Sequence, residues 1–310
     1  MRKHIFIFLL ISVVWKVAAQ QDPQYNLYQF NPLIINPAYA GARDGLSVVA
    51  NVRNQWVGFD GAPKTSVLSC HAPVLNKNVG IGFTIIGDRM GPRKMFGFSG
   101  NFAYILKLNN KLKLSFGLNA GYNRYQFNYN EITFKTIDNT TKNLGDFNTG
   151  AVDFNSGFYL KSKSFFLGLS FTHIGAKSLY EINMKDTSFK GFLTYRLRTH
   201  QFLTIGKSWL LNENVVFAPT LAFRGVNHGQ GNIDINFNFF LYKKLWLGLF
   251  FRTPYGPGFL LNYYVTPKCK VGYSYDTGLG NNRRLGASHE VSIGFDFLGQ
   301  KSKIISPRFL

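Results

Sequence analysis

Lys111-Leu-Lys-Leu-Ser-Phe-Gly-Leu-Asn-Ala-Gly-Tyr122 alternates along its whole length, with Leu112, Leu114, Phe116, Leu118, Ala120 and Tyr122 on one parity and Lys113, Ser115, Gly117, Asn119 and Gly121 on the other. A period of two is a strand period, because successive side chains of a strand point to opposite faces. The preceding stretch repeats the pattern with Phe98, Phe102, Tyr104, Leu106 and Leu108 against Gly97, Ser99, Asn101 and Lys107. Asn109-Asn110 between them suits a tight hairpin, since Asn tolerates positive φ. One face of this hairpin is Phe, Tyr and Leu, and the other is small and polar. A strand of about 10 residues, apolar outside and polar inside, is what a transmembrane barrel requires. A soluble β-sandwich also alternates, and this hairpin alone leaves both open.

The connections discriminate. Strands follow one another from Gly45 onward with no helical period, about 14 in all by alternation and turn signals. The odd connections are 54–63, 89–94, 127–150, 174–198, 225–231, 253–257 and 278–287; the even ones are 73–77, 109–110, 162–163, 210–213, 242–243 and 266–268. Long and short alternate around the whole chain. Longer outer loops and short periplasmic turns, with both termini periplasmic, are the signature of an outer-membrane barrel. The expected fold is therefore all-β, a transmembrane antiparallel outer-membrane β-barrel spanning 45–298.

Composition agrees. The 310 residues include 31 Phe, 16 Tyr and 31 Gly, with only 16% charged. Aromatic girdles at the membrane interfaces and glycines that ease strand bending and crowding account for those counts. The formal charge of +20 is dispersed and accompanies no nucleic-acid motif. Its bland reading is Lys and Arg meeting anionic lipid and lipopolysaccharide at the membrane faces. Met1–Ala19 has the form of a secretory leader: Arg2 and Lys3, an apolar core from Ile5 to Trp15, then small residues. Residues 20–44, with Asn31-Pro32, Asn36-Pro37 and several aromatics, are not strand-like; an ordered segment at the periplasmic mouth or inside the lumen is expected. Residues 299–310 form a C-terminal periplasmic tail. Cys70 and Cys269 lie far apart in predicted strands, and two unpaired buried thiols are expected.

Catalytic chemistry is not visible. Ser288-His289-Glu290 puts three reactive groups side by side, but consecutive strand residues face opposite ways and cannot form a relay. His71 and His173 read as isolated. No metal-ligand spacing, nucleophile elbow or phosphate loop occurs, so neither enzyme activity nor a cofactor or metal is expected. The unusual stretch is Asn51 to Thr65, with Arg53, Trp56, Asp60 and Pro63. Arg53 and Asp60 could pair, and Gly61-Ala62-Pro63 forms a turn. It is either a packed loop capping the barrel or a partner-docking loop. These four residues are the candidate site.

At these residues the chain resembles the PorP/SprF-like outer-membrane proteins of Bacteroidota. The matching stretches are Asn31 to Gly41, Arg53 to Thr65, Asp88 to Pro92, Leu114 to Gly121, Leu245 to Gly248, Val271 to Asp276 and Ser288 to Phe297. Departures such as Ile34 and Cys70 touch no proposed role. The resemblance implies a non-enzymatic outer-membrane barrel of the type IX secretion and gliding machinery, with other secretion proteins and a large secreted surface protein such as an adhesin as partners. The competing reading on the same fold is a porin or small-solute transporter. An open porin wants charged rings facing water. The lumen parity here is often Gly, Ser, Asn and Thr, which suggests a filled or narrow interior.

Overall fold

A computed structural model of the chain describes residues 22–74, 78–132, 146–175, 178–183, 192–227, 229, 231–280 and 285–297. The leader and the C-terminal tail lie outside these residues. The strands are β1 (Leu46–Asn54), β2 (Lys64–Val74), β3 (Val79–Met90), β4 (Arg93–Lys107), β5 (Lys113–Phe127), β6 (Phe147–Lys161), β7 (Phe165–Thr172), β8 (Ser178–Asn183), β9 (Phe192–Arg196), β10 (His200–Lys207), β11 (Trp209–Asn212), β12 (Val215–Phe217), β13 (Thr220–Val226), β14 (Asn232–Leu241), β15 (Leu245–Arg252), β16 (Gly256–Tyr264), β17 (Cys269–Asp276) and β18 (Ser288–Phe297). Each barrel strand pairs antiparallel with its neighbours. The sheet closes where β1 meets β18, from Leu46↔Phe297 to Asn54↔His289.

Two barrel strands are interrupted. Gly206↔Thr220 in β10–β13 and Trp209↔Phe217 in β11–β12 keep one register, so β10 and β11 are halves of a single strand. β12 and β13 are likewise one strand, since Val215↔Leu241 and Thr220↔Asn236 share a register on β14. Pro219 sits in that break, where a proline cannot donate to the ladder. Counted this way the barrel has 14 strands, an even number as such barrels have. β8 and β9 pair only with each other and form a separate hairpin within 174–198, expected from sequence to be a plain loop.

The barrel is apolar outside and polar inside. Phe102, Leu118, Phe154, Phe237, Leu249 and Val291 are exposed, while Asn101, Ser115, Asn119, Asn236, Asn238 and Ser292 are buried. The turn at Asn109-Asn110 closes differently from expectation. Neither residue takes positive φ; the Asn109 side chain instead accepts from the Lys111 and Leu112 N–H groups at 2.8 and 3.0 Å. Tyr242 and Lys243 do take positive φ, 48° and 55°, as a two-residue hairpin requires. Cys70 and Cys269 are both free, and half-buried rather than buried.

Candidate functional site

Residues 22–44 run through the lumen. Three short 3-10 turns organise them, Leu27–Gln29, Pro32–Ile34 and Pro37–Tyr39, two of them opened by a proline in its preferred first position. So short a segment cannot satisfy its own backbone, and the wall supplies the rest. Glu290 accepts from Asn26 N at 2.6 Å and Leu27 N at 3.4 Å. Arg252 donates to Tyr25 O at 3.1 Å and Asn26 Oδ1 at 2.7 Å. Asn31 is held by Asn51 and Ser69, and Asn36 donates to the carbonyl of Phe158 at 3.0 Å. Arg43 reaches Asp296 at 2.7 Å.

Apolar contacts complete the seat. Leu27 and Phe30 pack with Val216, Phe240, Trp246 and Leu260. Tyr25, Tyr28 and Ile35 pack with Val67 and Phe202. Leu33, Ala38, Tyr39 and Ala40 pack with Ala103 and Tyr159. Two lumen glycines make room: a methyl built on Gly117 would strike the Ala38 backbone, and one on Gly80 the Ala40 carbonyl.

The lumen also holds charges that the Gly, Ser, Asn and Thr count under-weighted. Asp234 takes a two-pronged pair from Arg252, both bonds 2.7 Å, and a third bond from Arg224 at 3.2 Å. Lys270 joins Arg43 on Asp296 at 3.0 Å. Buried charges survive only when paired and hydrogen-bonded. These serve the segment and the wall and do not form an open charged ring.

Asp22 meets His173, just past the end of β7, where a long connection leaves the barrel. Arg43 meets Asp296 near the opposite, short-turn end. The segment therefore spans the lumen from the long-loop side to the start of β1, so Asp22 lies at the long-loop end and not at the periplasmic end where the sequence pattern placed the N-terminus.

The four predicted site residues separate into two groups. Arg53 is buried, and its partners are Glu290 at 3.5 Å and Asp276 at 3.8 Å, not Asp60. Asp60 is exposed and Pro63 half-buried. Trp56 is half-buried at φ 54°, its N–H donating to Ser288 Oγ at 3.1 Å. The loop is ordered by Gln55 N to Pro63 O (2.9 Å), Val57 N to Ala287 O (2.7 Å) and Gly91 N to Gly61 O (2.8 Å). It displays Val57 and Phe59, both about half exposed. Glu290, read from sequence only as a strand residue, is a central anchor; its partners lie more than 200 residues away, so no local pattern announces it.

A second cluster was also missed. His173 sits between two carboxylates, Nδ1 at 2.7 Å from Asp153 Oδ1 and Nε2 at 2.8 Å from Asp22 Oδ1. His200 lies edge-on to it, ring centroids 5.8 Å apart. Burial opposes charge on His173, but the Asp22 charge and the bonds to both carboxylates outweigh it and hold the imidazole well above its ordinary pKa. Burial likewise opposes ionisation of Asp22, and the facing histidines overcome it, keeping that carboxyl below its usual range. Beside the cluster is a cavity of about 130 Å³ lined by Asp22, Asp153, His173, Asn119 and Asn155.

Fold and site together define an outer-membrane β-barrel whose lumen is occupied by its own N-terminal segment. The chain matches the family of type IX secretion system membrane proteins PorP/SprF over residues 17–295, and it belongs to that family. No curated protein matches it by sequence. Among solved structures it is similar to the CymD monoaromatic hydrocarbon channel, with TM-score 0.51 and 10% identity over 87% of this chain and 93% of that one. The toluene transporter TodX of P. putida is also similar, with TM-score 0.50 and 11% identity over 86% and 94%. At such identities the likeness concerns the fold. Family and fold are those of a secretion-system membrane protein and of barrel channels, not of enzymes.

Proposed function

We propose that this chain is a non-enzymatic outer-membrane component of the type IX machinery that anchors, or assists export of, a large adhesin-like surface protein. The observation that carries this reading is the filled lumen: an open diffusion pore needs a water path where residues 22–44 sit. In this reading Met1–Ala19 is removed as a leader, residues 20–44 fill the barrel of 45–298, and 299–310 end in the periplasm. The long loops face outward. Trp56, Asp60 and Pro63, with exposed Val57 and Phe59 beside them, form the partner-contact surface, and Arg53 positions it from beneath. Lipid and lipopolysaccharide meet the basic residues at the barrel ends.

The test is deletion. Loss of the protein removes the surface partner and leaves small-solute permeability nearly unchanged. The reverse result supports a porin or small-solute transporter, the activity named for the two similar barrels. Trp56→Ala refines it: a desolvated Trp anchor contributes on the order of 2 kcal/mol or more to binding. Partner recovery falls while heat-modifiable migration stays that of a folded barrel. Full partner recovery from a folded variant removes this loop from the docking surface.

A further inference from the structure

The two ends of the barrel differ in how their charges are matched. At the long-loop end the cations are paired: Arg93 with Asp88 at 2.6 Å, and Arg89 and Lys94 each with Glu131 at 3.3 Å. At the short-turn end, the turns joining β4 to β5 and β6 to β7 carry Lys107, Lys111, Lys113, Lys161 and Lys163, and the chain has no Asp or Glu over 101–130 or 154–180. Lys107, Lys111 and Lys163 are exposed and have no carboxylate partner among the described residues.

These lysines are also aligned. The register sets Lys113 directly opposite Lys107 on β4 and directly opposite Lys161 on β6. Opposite residues share a face, with Cβ atoms about 4.5–5.5 Å apart, and like charges so placed are destabilising. The face is that of the lumen, since each lysine is two positions from a buried residue, Ile105, Ser115 or Tyr159. Lys113 and Lys161, with Arg43 and Asp44, line a cleft of about 20 Å³ at this mouth, room for a water-sized group and not for a solute. Lys161 donates to the Ala42 carbonyl at 2.7 Å, which seats it against the end of the lumen segment.

Parity separates the row from lipid. Lys207 is on the outer face and lies over the Trp209 ring at 5.0 Å, as a lysine reaching for headgroups does. Lys107, Lys113 and Lys161 have the wall between them and the bilayer. The chain does not supply the missing counter-charge. Asp296 is held by Arg43 and Lys270 at 2.7 and 3.0 Å, and 299–310 adds Lys301, Lys303 and Arg308 with no acid.

We propose that the short-turn mouth is a docking surface for an extended acidic segment of another protein, whose Asp and Glu side chains meet Lys107, Lys113 and Lys161 and the flanking Lys111 and Lys163. In the orientation proposed above that partner is periplasmic. The row removes its own repulsion by taking up carboxylates, and its field draws an acidic chain toward the mouth. The inference does not depend on the surface cargo or on the Trp56 loop, which lies at the other end of the barrel.

The experiment uses the mature chain in detergent and a labelled peptide alternating Asp with Ser over about ten residues, long enough at about 3.3 Å per residue to cross the three strands. Fluorescence anisotropy shows binding that falls as salt rises from about 0.1 to 1 M, where the Debye length shrinks from about 10 to 3 Å. The same peptide with Lys for Asp does not bind. Lys107→Gln, Lys111→Gln and Lys113→Gln together weaken binding about tenfold, as loss of three exposed pairs predicts. Lys207→Gln, Lys243→Gln and Lys268→Gln together change it less than about twofold. Heat-modifiable migration certifies folding; should the first triple not fold, Lys111→Glu with Lys163→Glu decides. No binding of the acidic peptide, or equal loss in both triples, overturns the site. Loss of copurifying phospholipid from the first triple with peptide binding unchanged assigns the lysines to headgroups and overturns the docking surface.

Discussion

Arg252→Met tests whether the lumen segment is a docked element with its own stability. Arg252 is 1% exposed and lies at the end of β15. It gives two 2.7 Å bonds to Asp234 and further bonds to Gln24 (3.3 Å), Asn26 (2.7 Å) and the Tyr25 carbonyl (3.1 Å). Met keeps most of the stem volume and removes the fork. Breaking a buried pair by deleting one partner costs about 3–5 kcal/mol, because the remaining charge is stranded. Arg224, 3.2 Å from Asp234, softens that loss toward the lower end. The backbone ladder of β14 and β15 is untouched, so the cost falls on the segment. About 3 kcal/mol is roughly a hundredfold in its opening equilibrium. Hydrogen exchange read by mass spectrometry should show peptides within 22–44 exchanging faster by about that factor, while β4–β6 peptides are unchanged. Unchanged exchange in 22–44, or loss of protection confined to β14–β16, would refute the reasoning: Arg252 would then brace the wall and not the segment.

Leu118, 64% exposed in the middle of β5, faces lipid; Leu118→Arg should cost about 2–4 kcal/mol of folded barrel in a bilayer refolding titration, with Leu118→Ile as the near-neutral control. A cost below 1 kcal/mol (roughly) would mean the face is misassigned. Gly117→Val sets a side chain against the Ala38 backbone, so limited proteolysis should cut within 22–44 faster than in wild type; equal rates would deny the close approach. Epitope tags within 127–150 or 174–198 should be labelled on intact cells and tags at Asn109 should not, the opposite pattern inverting the orientation.

Much of the wall was legible because its rule is local. Burial in a barrel alternates residue by residue, so Phe116 against Ser115 and Leu118 against Asn119 declare their faces without knowledge of any partner. Loop length is equally local. It closed the choice between sandwich and membrane barrel, although the connection expected to be long at 89–94 is only the two residues between Met90 and Arg93, and the strand interruptions at Ser208 and Pro219 and the β8–β9 hairpin did not show in the alternation. The expected Arg53–Asp60 pair followed from proximity along the chain, and proximity misled: Arg53 faces inward, to β17 and β18.

What the sequence by itself determined is the barrel, its even strand count near 14, its lipid and lumen faces, and the family, since all of these rest on short-range periodicity and contiguous motifs. Only the tertiary structure decided that residues 22–44 fill the lumen, that Glu290 and Arg252 hold them there, and that His173, isolated in the chain, stands between Asp22 and Asp153 beside His200. The physical reason is the closure of the sheet. It carries residues more than a hundred positions apart to the same few ångströms of interior, and there the cost of burying each polar group, not the spacing of letters along the chain, selects its partner.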